Sequence, residues 1–276
     1  MILNIKGSLL DLSSPKIMGI LNVTPDSFYD GGVYSNENEI LKQAEKMILD
    51  GVDIIDIGGY SSKPGAKKIT IKEEEKRVLP IIKLIYKTFK KTIISVDTFR
   101  SEIAEKSINA GASIINDISG GDFDNYIYKI AERYKAPYIM MHMKGDPSNM
   151  QINPTYQNIN YEIIKNLSKK IDFAQKKGVC DIIIDPGFGF GKTIEHNYQI
   201  LNNLKLYKVL HKPILIGVSR KSMIYKLLKT DPSKALNGTT ALNTIALING
   251  ANILRVHDVK QANEVIKLCG FLKENV

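Results

Sequence analysis

Three polar residues stand where apolar runs stop: Asp97 after Thr92–Val96, Asn116 after Ala112–Ile115, and Asp185 after Ile182-Ile183-Ile184. Ionised carboxylates only accept hydrogen bonds, whereas an amide both donates and accepts. Two carboxylates and an amide around one rim can therefore read a flat heterocycle that presents adjacent amino and ring N–H groups. Each residue also has a plain structural use. Asp97 or Asp185 can cap the following helix, and Asn116 can close an Asx turn. Recurrence at three strand ends is what favours a pocket. A second set is cationic: Arg220 and Lys221 follow Pro213–Gly217, and Arg255 and His257 follow Ala251–Leu254. A guanidinium forks onto phosphate oxygens, and a neutral imidazole still donates one N–H. Solvated surface charge accounts equally well for Arg220 and Lys221. It accounts less well for Arg255, which directly follows Ile253-Leu254. Ser219 and Ser222 can cap the turn they flank. Phe28, Phe188 and Phe190, in polar or glycine-rich segments, either anchor those loops or touch a flat ligand.

The elements that must position these groups form a repeating series. Lys16–Asn22, Val52–Ile57, Thr92–Val96, Ala112–Ile115, Pro137–Met141, Ile182–Ile184, Pro213–Gly217 and Ala251–Leu254 read as eight short apolar strands. Such continuous apolar runs belong to parallel sheets covered by helices. Helical spacing follows each one, at Asn36–Asp50, Ile71–Phe89, Ser101–Ala110, Phe123–Tyr134, Tyr156–Lys177, Ile194–Leu210, Ser233–Ile248 and Val259–Leu268. The pattern predicts an α/β fold, a single (β/α)8 TIM barrel over residues 1–276, with reactive groups on the face where the strands end. An open, doubly wound sheet is the alternative, but no dinucleotide fingerprint follows the first strand. Residues 1–13 predict an N-terminal β-hairpin, turning at Lys6-Gly7 and covering an end of the core.

The 276 residues are 43% hydrophobic and 24% charged, as expected of a globular protein, and 38 basic against 29 acidic residues leave +9. The excess is lysine spread along the chain, without a basic tail or basic–aromatic interleaving. It suits a small phosphorylated substrate better than nucleic acid. Cys180 and Cys269 form no Cys-x-x-Cys pair, and the four histidines show no metal-ligand spacing, which argues against a protein-only zinc site. A magnesium ion (Mg2+) held by Asn22 and diphosphate oxygens needs few protein ligands and stays compatible. Gly191-Lys192-Thr193 lacks the glycine spacing of a Walker loop and is set aside. With no apolar stretch of membrane-spanning length and no signal segment, the cytoplasm is the expected location.

Seven segments together closely resemble the dihydropteroate synthase family, in order and over nearly the whole chain. They are MGILNVTPDSFYDGG at Met18–Gly32, SVDTFR at Ser95–Arg100, NDISGG at Asn116–Gly121, MHMKGDP at Met141–Pro147, DPGFGFGKT at Asp185–Thr193, GVSRKS at Gly217–Ser222 and RVHDV at Arg255–Val259. The resemblance implies condensation of 6-hydroxymethyl-7,8-dihydropterin diphosphate with 4-aminobenzoate in folate biosynthesis, by a sulfonamide-sensitive class of enzyme. It implies that Asp97, Asn116, Asp185 and Lys221 hold the pterin, and that Asn22, Arg255 and His257 hold diphosphate with magnesium. Phe190, Ser62, Pro64, Lys221 and Ser222 would border the aminobenzoate, with Phe28, Ser61 and Gly217 also lining the substrates. Asp97, Lys221, Arg255 and His257 are the expected catalytic set, and a homodimer is the expected assembly. Tyr60, Ser62 and Lys63 depart from the acidic residue, threonine and arginine frequent in the family at these positions. A pterin-dependent methyltransferase serving a corrinoid protein could share the pocket but not the anion corner. A non-enzymatic pterin-binding module gives no reason for that corner either.

Overall fold

A computed structural model describes residues 1–23, 33–60, 68–147 and 149–275, with side chains of the second segment described from residue 37 onward. The N-terminal strands β1 (Ile2–Ile5) and β2 (Ser8–Asp11) pair antiparallel, Ile2 facing Asp11 and Ile5 facing Ser8. Lys6 and Gly7 both take positive φ, +49° and +90°, as the tight hairpin turn requires.

Eight parallel strands follow: β3 (Lys16–Asn22), β4 (Ile54–Gly58), β5 (Ile93–Asp97), β6 (Ile114–Asp117), β7 (Tyr138–Met141), β8 (Ile182–Asp185), β9 (Leu215–Ile216) and β10 (Ile253–Val256). Their order is β8-β7-β6-β5-β4-β3-β10-β9. A parallel bridge from Ile184 to Ile214, with Ile184 N–H donating to Pro213 O at 2.9 Å, joins the two ends and closes the barrel. The expected barrel is therefore the observed one. Helices α1 (Val33–Leu49), α2 (Ile71–Thr88), α3 (Ser101–Ala110), α4 (Ile127–Arg133), α5 (Ile159–Lys176), α6 (Ile194–Asn202), α7 (Ser222–Tyr225), α8 (Leu236–Ile248) and α9 (Val259–Glu274) accompany the strands.

Side chains alternate across each strand, so one set packs outward on the helices and the other fills the barrel. Ile55, Ile57, Ile94, Val96, Ile115, Ile182 and Ile184 belong to the outer core with residues such as Ile82, Ile103 and Leu167 from the helices. Met18, Ile54, Ile114, Ile139, Ile183, Leu215 and Ile253 form a separate inner layer with Leu3, Ile5 and Leu12. The hairpin therefore plugs the end where the strands begin. Only the other mouth is left for chemistry.

Local sequence explains where the elements depart from simple periodicity. The expected helix Ile194–Leu210 stops at Asn202, and a 3-10 segment covers Leu204–Leu210. Leu204 and Tyr207 are three apart and both fully buried, a spacing that 3-10 geometry places on one face. Helix α4 begins at Ile127 rather than Phe123, because the Asp124 carboxylate takes the N–H groups of Ser101 (2.8 Å) and Tyr126 (3.1 Å) and holds a turn. The last helix runs six residues beyond Leu268, to Glu274. Helix α2 opens with a capping box between Thr70 and Glu73.

Candidate active site

Alternation carries Asp56, Ser95, Asp97, Asn116, Asp185 and Arg255 onto the inner wall above the isoleucine layer. Arg255 organises this level. Its Nε donates to Asp56 Oδ2 at 2.7 Å and its Nη2 donates to Asp97 Oδ2 at 2.7 Å. Asn116 Nδ2 donates to the same Asp56 oxygen at 3.0 Å. That bond fixes the amide orientation, leaving the Asn116 carbonyl as the acceptor. Asp97 and Asn116 are neighbours across β5 and β6, and Gly58 of β4 faces Asp97 in register. A β-carbon on Gly58 would meet Asp97 Cβ at 3.3 Å, so the glycine gives that carboxylate its room.

Burial sets the electrostatics. Desolvation pushes Asp97 up to about 7 against the pull of Arg255, with the charge of Asp56 adding to the rise. Asp185 is raised too, chiefly by burial, although Lys221 and the Gly187 N–H, which donates to it at 2.7 Å, oppose the rise. Burial lowers Lys221 to about 8 despite Asp185. For Arg255 burial works downward, but Asp56 and Asp97 outweigh it and hold the guanidinium charged.

The glycine-rich loop after β8 packs backbone to backbone on the segment after β7. Gly187 has φ +74°, and a β-carbon there would fall 1.9 Å from His142 O. Gly191, at φ +64°, would place one 2.3 Å from Lys144 O. No side chain fits either position. Phe188 is wholly buried in the outer core, which resolves its role as an anchor. Its carbonyl accepts from Lys221 Nζ, and that ammonium lies 4.9 Å from the Phe190 ring centroid. Phe190 is half-buried and packs against Ile118, Met141, Met143 and Met150, so one face of its ring can serve a ligand. Beneath it Lys192 is 3% exposed and bonds His142 Nδ1 (3.1 Å), His142 O (3.3 Å) and Phe190 O (2.9 Å). Burial, then the Lys192 charge, holds His142 neutral, far below the usual imidazole range.

The cationic corner splits in two. Arg220, at φ +54°, turns away and forks onto Asp258 at 2.9 and 2.8 Å while also donating to the Pro232 and Ser233 carbonyls. It braces the loop and does not join the anion set. His257 stays at the rim. Ser219 Oγ accepts the His257 backbone N–H at 3.2 Å and lies 3.0 Å from Nδ1. In the tautomer where the Ser219 hydroxyl donates to Nδ1, the imidazole proton lies on Nε2. The protein packed around the His257 ring and then Arg255 push it down, to about 4, although the residue as a whole is exposed and solvent tempers that shift. Near neutral pH it is therefore an uncharged donor. Gly217 lies between: a β-carbon there would stand 3.8 Å from Arg255 Cβ and 4.0 Å from Lys221 Nζ. Ser222 opens α7, and Asn22 ends β3 opposite Gly58.

The structure thus brings Asp97, Asn116, Asp185, Gly217, Lys221, Arg255 and His257 to one mouth. Phe28, Ser61, Ser62 and Pro64, with Asp26 and Lys63, lie outside the described residues. Two buried groups escaped the sequence reading. Asp56 interrupts the run Ile54-Ile55-Asp56-Ile57, and a charge inside a fully apolar strand is the signal that finds it. Lys192 was set aside with the rejected Walker pattern, yet it ties the two loops together.

A family model described as "pterin binding enzyme" matches residues 18–257. The chain is 42% identical over 265 residues to the dihydropteroate synthase of Escherichia coli K12, covering 95% of this chain and 93% of that protein. A Yersinia pestis dihydropteroate synthase solved as a sulfonamide drug complex superposes with a TM-score of 0.93 at 38% identity, covering 100% of both chains. A Xanthomonas albilineans dihydropteroate synthase solved with 4-aminobenzoic acid gives 0.92 at 33% identity, covering 99% of this chain and 98% of that one.

Proposed function

The chain belongs to the dihydropteroate synthase family of pterin-binding enzymes, and from that premise we propose how its own side chains divide the work. It is a transferase of folate biosynthesis, condensing 6-hydroxymethyl-7,8-dihydropterin diphosphate with 4-aminobenzoate to give 7,8-dihydropteroate and diphosphate. The observation that carries the assignment of roles is Arg255. One guanidinium ties the Asp56–Asp97–Asn116 group to the wall that also bears Lys221 and His257.

The pterin lies against Asp97, Asn116 and Asp185, whose acceptors meet its amino and ring N–H groups, with Lys221 donating at its edge. Its diphosphate reaches Arg255 and the Nε2–H of His257. The bond from the exocyclic methylene carbon to the diphosphate oxygen breaks, and the electron pair leaves with that oxygen. The dihydropterin ring spreads the resulting positive charge, and ionised Asp97 stabilises it. The aniline nitrogen then donates its lone pair to the carbon and loses a proton. No enzyme nucleophile takes part. Phe190, Lys221 and Ser222 border the aminobenzoate, where sulfonamides compete.

Magnesium fits this site. Among the described residues no three His, Cys, Asp or Glu side chains gather to hold a metal. A hard cation carried mainly by diphosphate oxygens and water needs only a neutral oxygen such as that of Asn22. When bound, the ion would offset charge on the departing oxygens. The assembly is a homodimer: α8 exposes Ile245 and Ile248, and the neighbouring α9 exposes Leu268, Phe271 and Leu272, an apolar surface in keeping with a partner. No described helix is long and apolar enough to cross a membrane, in keeping with a cytoplasmic enzyme.

Incubation with pterin diphosphate, magnesium and 4-aminobenzoate should form pteroate and diphosphate in equal amounts, with neither product when a substrate is omitted. Pterin binding without product would overturn the assignment of roles.

A further inference from the structure

Asp56 is wholly buried in the middle of β4, and one oxygen carries all of its hydrogen bonds in the pocket. Its Oδ2 accepts from Arg255 Nε at 2.7 Å and from Asn116 Nδ2 at 3.0 Å. The other oxygen, and the hydroxyl of its register partner Ser95 on β5, have no hydrogen-bond partner among the described residues. Stability does not explain such a group. A buried ion pair can often be replaced whole by well-packed apolar residues at no loss, and an incompletely bonded carboxylate is a costly thing to enclose.

Orientation does explain it. Arg255 spends its Nε–Nη2 edge on Asp56 and Asp97. Its Nη1 edge is then the one left to meet an anion at the mouth. Asn116 gives one amide N–H to Asp56, which turns its NH2 end to β4 and leaves its carbonyl as the acceptor for a ligand. A planar amide is otherwise free to reverse, and the reversed form would present N–H to N–H. We propose that Asp56 is the positioning residue of this pocket. Its single oxygen locks the Asn116 carbonyl toward the substrate base and the free Arg255 edge toward the departing diphosphate. The proposal rests on the reading of the site given above.

Asp56→Leu tests it, because the size is nearly kept while both acceptor oxygens are lost. Against a working wild-type enzyme, kcat/KM for pterin diphosphate should fall about 10- to 100-fold, the usual cost of losing an orienting partner. KM for 4-aminobenzoate should change by less than about threefold, since Asp56 orients only the pterin side. The acid limb of the kcat/KM profile should move to lower pH, because one negative charge beside Asp97 is gone. A crystal structure of the variant reads the geometry without turnover, and should show Arg255 on Asp97 alone with the Asn116 amide reversed. Unchanged Arg255 and Asn116 geometry would overturn the proposal. So would a kcat/KM within about threefold of wild type, or equal losses toward both substrates with an unmoved acid limb. If neither Asp56→Leu nor the milder Asp56→Asn yielded folded protein, Asp56 would be a structural residue and the proposal wrong. Failure of wild-type turnover would instead count against the earlier reading, leaving the crystallographic arm to decide this one.

Discussion

Replacing Lys221 by methionine should weaken catalysis and leave the fold at least as stable. The ammonium donates to the Phe188 carbonyl, faces the Phe190 ring at 4.9 Å and feels Asp185. A hydrogen bond to a charged group contributes about 1.5–3 kcal/mol, and a desolvated cation–π contact about 0.5–2 kcal/mol. Both contacts hold the ammonium at the pterin edge, and losing one charged hydrogen bond from it to the reacting pterin, about 1.5–3 kcal/mol, lowers kcat/KM about 10- to 150-fold. Stability runs the other way. Lys221 falls from 10.5 in its ordinary state to about 8 in the fold. Between pH 8 and 10.5 the unfolded chain then holds more protons, so this group's contribution makes stability rise with pH through that window. Below pH 8 its full cost is present, about 3 kcal/mol at about 1.36 kcal/mol per pH unit. Methionine removes that cost but strands the Phe188 carbonyl, at about 1–3 kcal/mol. The net change is about 0 to 2 kcal/mol in favour of the variant. Product-coupled kinetics from pH 6 to 9.5 and urea melts would measure both. In wild type kcat/KM should decline as pH rises through about 8, and the variant should lack that limb. A variant that retained the limb, or lost stability and activity together, would refute the reasoning.

Asp97 sets the opposite limb. It acts ionised and its carboxyl is raised to about 7, so wild-type kcat/KM should climb as pH rises through about 7. Asp97→Asn should be slow and lack that climb; an intact acid limb would assign it to another group. Gly187→Ala, with its β-carbon against the His142 carbonyl, should lose about 2–4 kcal/mol in urea melts. Gly189→Ala would meet only Lys221 Cδ at 3.6 Å and should lose about 1 kcal/mol. Equal losses would contradict the packing of the two loops. Chelation of divalent ions should abolish diphosphate release, magnesium should restore it, and Asn22→Ala should raise the concentration required. Undiminished turnover in excess chelator would dismiss the metal.

Asp97, Asn116 and Asp185 were legible because a polar side chain that ends an apolar strand of a parallel barrel must appear at the mouth. The hairpin was legible from Lys6-Gly7, and its task became visible once Leu3, Ile5 and Leu12 met the inner isoleucine layer. Direction was harder to read. Arg220 and Lys221 are adjacent, yet the positive φ of Arg220 sends it to Asp258 while Lys221 turns inward. Neither periodicity nor composition encodes that choice. Asp56 lay hidden because its neighbours made the strand look wholly apolar, and its partners Asn116 and Arg255 are 60 and 199 residues away. Lys192 has no carboxylate among the hydrogen bonds it makes. Only the packing of the loops after β7 and β8 shows that a lysine there joins them.

The central claim is that one mouth holds both the fused pterin ring and its polyanionic tail. A crystal structure with a non-hydrolysable analogue of the pterin diphosphate tests it most directly. The ring should lie against Asp97, Asn116 and Asp185 while the phosphates touch Arg255 and His257. Phosphates found away from Arg255, or a ring bound at the end sealed by the hairpin, would contradict the account.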